Sequence, residues 1–140
     1  MLSLKNRIKM AAITLLVDSG FVYSLYILKL DKYDRLFSIS VLSVHLVFLY
    51  YLYKNDQKKL DFLHYLVPML LIGSIGLRSP FLIFFSLMLL CMIKTLWILE
   101  GRCILNDKKD TWGLTKVSEF GAIILTVLLS VKFGYNIKKM

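Results

Sequence analysis

The stretch LFSISVLSVHLVFLYYLY, Leu36 to Tyr53, runs eighteen residues between Arg35 and Lys54 with no acidic or basic side chain apart from His45. A helix crossing the hydrocarbon of a bilayer needs about 20 mostly apolar residues, with a range of about 17–25. The stretch meets that length, and its charged flanks fall where lipid headgroups would meet them. It is read as a transmembrane helix. Aromatic residues gather at its end, at Phe48, Tyr50, Tyr51 and Tyr53, as amphipathic rings do at a membrane interface.

Four further apolar segments lie on either side of it. One runs from about Met10 to Leu28 behind Lys5, Arg7 and Lys9, and others from about Leu60 to Leu77, Phe81 to Leu99 and Val117 to Phe133. The first resembles a signal peptide, with Val17 and Ser19 placed like a cleavage motif, but it is read as a retained span. Only Gly76, Leu77, Arg78, Ser79 and Pro80 separate the third segment from the fourth, which predicts a tight helical hairpin. The last segment is short and begins near Glu119, so it crosses a thin bilayer, tilts, or packs as a re-entrant piece. The expected fold class is all-α: a multi-pass transmembrane helical bundle in one domain over residues 1–140. It has five spans, or four if the last segment does not cross.

Composition agrees with that class. Of 140 residues 58% are hydrophobic and the mean hydropathy is +0.68, against an apolar share of about 45–50% in soluble domains. The net charge of +9 falls in short clusters at the edges of apolar runs. That placement suits lipid headgroups and disfavours nucleic acid, which would be met by a continuous basic stripe. The expected partners are the bilayer and either further copies of the chain or other membrane subunits. The N-terminus, the Lys54 to Asp61 loop and the Gly101 to Lys116 loop share one side, which carries more basic residues than the other. The positive-inside rule makes it cytoplasmic. Cys91 lies in an apolar run and Cys103 in a loop, a spacing that indicates neither a disulfide framework nor a zinc site.

Titratable residues inside apolar spans cost about 2.5–3.5 kcal/mol at the centre on insertion scales, so each invites a functional hypothesis. The set here is Asp18, His45, His64, Lys94 and, near a span end, Glu119. At a rise of 1.5 Å per residue, Asp18 and His45 both lie about 12 Å from the cytoplasmic boundary and Lys94 about 7 Å, with the others shallower. The five thus form a candidate polar cluster in one half of the bilayer. A pair between Asp18 and Lys94 is the expected partnership, because a carboxylate at that depth needs a counter-ion. The competing reading has Lys94 snorkelling to the headgroups and the histidines bonding across helices. In VDSGFVYS, Gly20 and Ser24 share a helical face that admits a close neighbour, and Gly73 and Gly76 are expected to act likewise, with a hinge as the alternative.

No GxSxG, HExxH, phosphate-cradling glycine loop or carboxylate cluster is present, so neither catalysis nor a cofactor is expected. His45 and His64 differ in depth by about 6 Å, which suits bis-histidine haem poorly. Trp97 and Trp112 flank the last loop as interface anchors. Two function classes follow. The first is a non-catalytic structural or accessory membrane component. The second is a small channel or transporter using Asp18, His45 and Lys94, whose path would continue to the far side through Ser38, Ser40, Ser74 and Ser86. A TVGYG-type filter and repeated halves are both missing.

The segment KTLWILEGRCILND at the end of the fourth span resembles a short signature in small multi-pass membrane proteins of large DNA viruses. That signature has a Trp, a short loop, then Cys-x-Leu followed by a hydroxyl residue and an acid. Trp97, Cys103 and Leu105 match. Asn106 stands for the hydroxyl residue, Lys109 for the acid and Leu96 for a histidine before the Trp, and the match covers about a tenth of the chain. The resemblance implies a virion or host-membrane protein with no assigned chemistry.

Overall fold

Helix α1 (Leu4–Ile27) leads through a four-residue link to α2 (Lys32–Lys54), and Asn55 and Asp56 join α2 to α3 (Gln57–Gly73). Helix α3 tightens into a 3-10 turn, Ser74–Gly76, and residues 77–79 connect it to α4 (Pro80–Glu100); α5 is Trp112–Lys138. This computed structural model describes residues 3–100 and 112–139, excluding the side chains of His64, Tyr65 and Ile93 and those at 96–100 and 112–119. The described residues form an all-α bundle.

Helix ends follow from local chemistry. Ser3, Asp31 and Asp56 each accept a backbone N–H three residues on, capping α1, α2 and α3 and satisfying donors that have no partner inside the helix. Asn55 closes α2 in the left-handed conformation (φ 56°), a region that Asn tolerates better than most residues. The Asp56 N–H donates to the Tyr51 carbonyl at 3.2 Å, so α2 reverses into α3 within two residues. Pro80 opens α4 at the position where its missing N–H costs nothing.

Among the described residues four helices are long and apolar enough to cross a membrane: α1, α2, α3 with its 3-10 turn, and α5 over Phe120–Lys138. In α4 the described apolar stretch, Pro80–Met92, is shorter. The whole helix has 21 residues, about 31 Å at the α-helical rise and enough to cross. Several boundaries differ from the sequence reading, those of two helices most. Helix α1 begins at Leu4 rather than near Met10, and the segment expected to be short is the longest helix, 27 residues. Both extend through charged residues, because a helix that leaves the hydrocarbon keeps its own hydrogen bonds in water.

Helix α1 packs against α2 and α4, α2 against α3, and α4 against α5. Helices α3 and α4 turn apart to different neighbours, so the tight hairpin expected around Gly76 to Pro80 is a connection between helices that do not pack along each other. One core cluster gathers Val17, Phe21, Val41, Leu82, Ile83 and Leu129 from four helices, and a second joins Phe48 and Leu52 to Leu60 and Leu63. Phe48 therefore belongs to the core and not to the interface, whereas Tyr50 and Tyr53 are exposed as expected. A side chain at Gly20 would stand 2.1 Å from the Phe85 ring, and one at Gly76 2.6 Å from the Tyr33 ring. Both glycines are places of close helix approach, and the packing of Gly73 and Gly76 under Phe37 and Tyr33 supplies the reason for them that a hinge would otherwise give. Large apolar side chains such as Leu15, Leu46, Met69, Ile72 and Val131 face outward. That surface, with the length of the helices, fits an integral membrane protein.

Candidate functional site

Asp18 lies in the second half of α1, and its carboxylate oxygen stands 2.5 Å from His45 Nδ1 on α2. The partner is therefore His45 and not Lys94, which overturns the expected Asp18–Lys94 pair. Antiparallel α1 and α2 place Asp18 and His45 at one level, the equal depth their positions predict, whereas Lys94 lines a groove between α4 and α5. A hydrogen bond between these atoms needs one proton, on the imidazole or on the carboxyl. The side chains of His45 and Asp18 are 11% and 13% exposed.

The surroundings of the pair follow from helical periodicity, since residues three and four apart share a face. Thr14 and Phe21 flank Asp18 on α1, Val41 and Phe48 flank His45 on α2, and all four are buried. Along the α1–α2 seam, packed side chains thus close the polar pair at both ends. The Thr14 hydroxyl donates to the Met10 carbonyl of its own helix.

A second polar centre sits where the chain passes from α3 to α4, and the sequence reading missed it. Asp34, 2% exposed in the first turn of α2, accepts the Arg78 N–H at 3.0 Å and the Ser79 N–H at 2.7 Å. Its carboxylate, on α2, therefore holds the backbone of the link just ahead of α4. Around it, the Tyr33 hydroxyl donates to the Gly73 carbonyl at 2.8 Å, Lys132 Nζ to the Ile75 carbonyl, and Asn136 Nδ2 to the Arg78 carbonyl at 2.8 Å. Asp31 pairs with Arg78 at 3.3 Å, where Arg78 is exposed, so that pair contributes little. At the other end Arg7 Nη1 donates to the carbonyls of Leu52 and Tyr53, at 3.3 and 3.1 Å. The backbone groups so satisfied lie at helix ends and in the link before α4, where lipid could not satisfy them.

The remaining candidates separate. Lys94 has a partner within the chain and lines the α4–α5 groove, while Asp18 pairs with His45. The side chains of His64 and Glu119 lie outside the described residues, as do those of Trp97, Cys103, Leu105 and Trp112. Cys91 is a free, exposed thiol on α4. Of the far-side hydroxyls, Ser38 and Ser74 are buried and donate to Asp34 and Leu71 carbonyls of their own helical segments, and the exposed Ser40 donates to the Leu36 carbonyl. Ser86 is buried. Among the described residues no group of three or more His, Cys, Asp or Glu side chains could hold a metal ion. Compared with protein-family models, curated proteins and solved structures, the chain matches none.

Proposed function

We propose that this chain is a non-catalytic integral membrane component, a helical scaffold or accessory subunit whose intramembrane polar groups join helices rather than line a path. The observation that carries the reading is the Asp18–His45 hydrogen bond, closed along its seam by Thr14, Phe21, Val41 and Phe48. A conducting route would need wet polar groups to continue beyond the pair. The far-side hydroxyls of Ser38 and Ser74 are instead buried and donate to their own helices, which supports packing. Asp34, Arg7, Tyr33 and Lys132 fit the same pattern, each satisfying the end of another helix.

In this reading the basic side, with the N-terminus, faces the cytoplasm. The resemblance of the Lys94 to Asp107 segment to viral membrane proteins favours a particle or host membrane as the setting, with further copies of the chain or other subunits as neighbours. The rival reading, a small ion or proton channel, uses the same titratable pair. Proton and potassium flux into liposomes carrying the reconstituted protein separates the two. The scaffold reading expects wild-type flux equal to that of protein-free liposomes, and a double-mutant cycle of Asp18→Asn and His45→Ala with a coupling of about 1–2 kcal/mol in stability. Flux that either substitution abolishes would overturn it.

A further inference from the structure

We propose that the groove between α4 and α5 seats one acyl chain of an anionic phospholipid, with Lys94 meeting its phosphate. The groove encloses about 340 Å³ and is lined by Cys91, Lys94 and Thr95 of α4 and by Ala122, Ile123 and Thr126 of α5, among others. That volume is at the lower end of the range for small-ligand pockets, about 300–1,000 Å³. Both threonine hydroxyls are turned to their own helices: Thr95 donates to the Cys91 carbonyl and Thr126 to the Ala122 carbonyl. The walls therefore offer a ligand mainly carbon and sulfur, and Lys94 provides the charge.

Position selects the occupant. Lys94 precedes the α4 end at Glu100 by six residues, about 9 Å along the axis, and a lysine's four-carbon stem can carry its ammonium toward the headgroups while lying along apolar surface. From Lys94 the groove extends past Cys91 to Leu90 and Val127, away from the α4 end at Glu100, the direction in which a lipid tail would run inward from a phosphate at Lys94. Lys94 is engaged within the chain, but an ammonium has three donors, so a phosphate oxygen can share it. A neutral or zwitterionic lipid would fill the same groove without the net charge attraction.

The test uses the full chain in non-ionic detergent, with phosphatidylglycerol or phosphatidylcholine of equal chain length added and retained lipid counted by native mass spectrometry. One phosphatidylglycerol should be retained in about fivefold preference, the factor one basic residue contributes against anionic lipid. Lys94→Gln should bring the preference to about one, and Lys94→Arg should keep it. Thr126→Trp, which fills the groove from α5, should reduce retention of both lipids. Replacing Lys138 and Lys139 by Gln, at the far end, should change nothing, and circular dichroism melts identify any variant that has lost its fold. Equal retention of the two lipids by the wild type, or a preference that survives Lys94→Gln in a folded protein, would overturn the proposal.

Discussion

Replacing Asp34 by alanine removes the acceptor for two backbone N–H groups at the start of α4. Hydrogen bonds to a charged group contribute about 1.5–3 kcal/mol each, so two amount to about 3–6 kcal/mol. The lower figure applies where water can reach the freed groups, and the loop's neighbour Arg78 is largely exposed, so about 3 kcal/mol is expected. For a chain of this size that lowers the melting temperature by about 10 °C. Asn keeps one carbonyl acceptor but turns an amide donor toward the second N–H, so Asp34→Asn should show about half the loss or slightly more. The assay is thermal unfolding in detergent followed by circular dichroism, together with hydrogen exchange at Arg78 and Ser79. Exchange at those two amides should accelerate before global unfolding, while amides in mid-α1 keep their protection. If Asp34→Ala were no more harmful than Asp31→Ala, which removes an exposed pair and a local cap, the cross-helix cap would not be the joint described.

Gly20→Ala places a Cβ 2.1 Å from the Phe85 ring and should destabilise by about 1–3 kcal/mol, with Phe85→Leu in the same chain restoring most of the loss in the same melt. Arg7→Met strips the two carbonyl contacts at the end of α2 at a cost of about 1–3 kcal/mol, and exchange should quicken near Asn55 and Asp56. Tyr33→Phe removes only the bond to the Gly73 carbonyl, about 1 kcal/mol, and leaves the ring packed over Gly76.

Apolar run length made the class of fold legible, because lipid admits only elements that satisfy their own backbone. The turn chemistry from Gly76 to Pro80 marked the break between α3 and α4 but not their separate packing, and small size marked Gly20 as a helix contact. The equal depths of Asp18 and His45 already contained their partnership. Opposite formal charge and a depth within about 5 Å of Asp18 point to Lys94 instead, although a neutral imidazole also hydrogen-bonds a carboxyl group. Asp34 stands beside Arg35 just outside the apolar run, where nothing in the sequence singles it out. Only the fold shows that its neighbour is the start of α4, forty-five residues away. Ser79 and Pro80 are residue types common at a helix start, but sequence does not say which chain segment supplies the acceptor for the N–H groups there.

The most direct test of the packed-joint account is water access to positions 18 and 45. Single cysteines, Asp18→Cys and His45→Cys, in a chain whose own Cys91 and Cys103 are replaced by serine, are treated in liposomes with a small charged thiol reagent. Protection at both positions, with labelling of a control cysteine at Lys58, is the expected result. Rapid labelling at both positions, blocked by a pore-sized cation, would contradict it and make the pair part of a hydrated path.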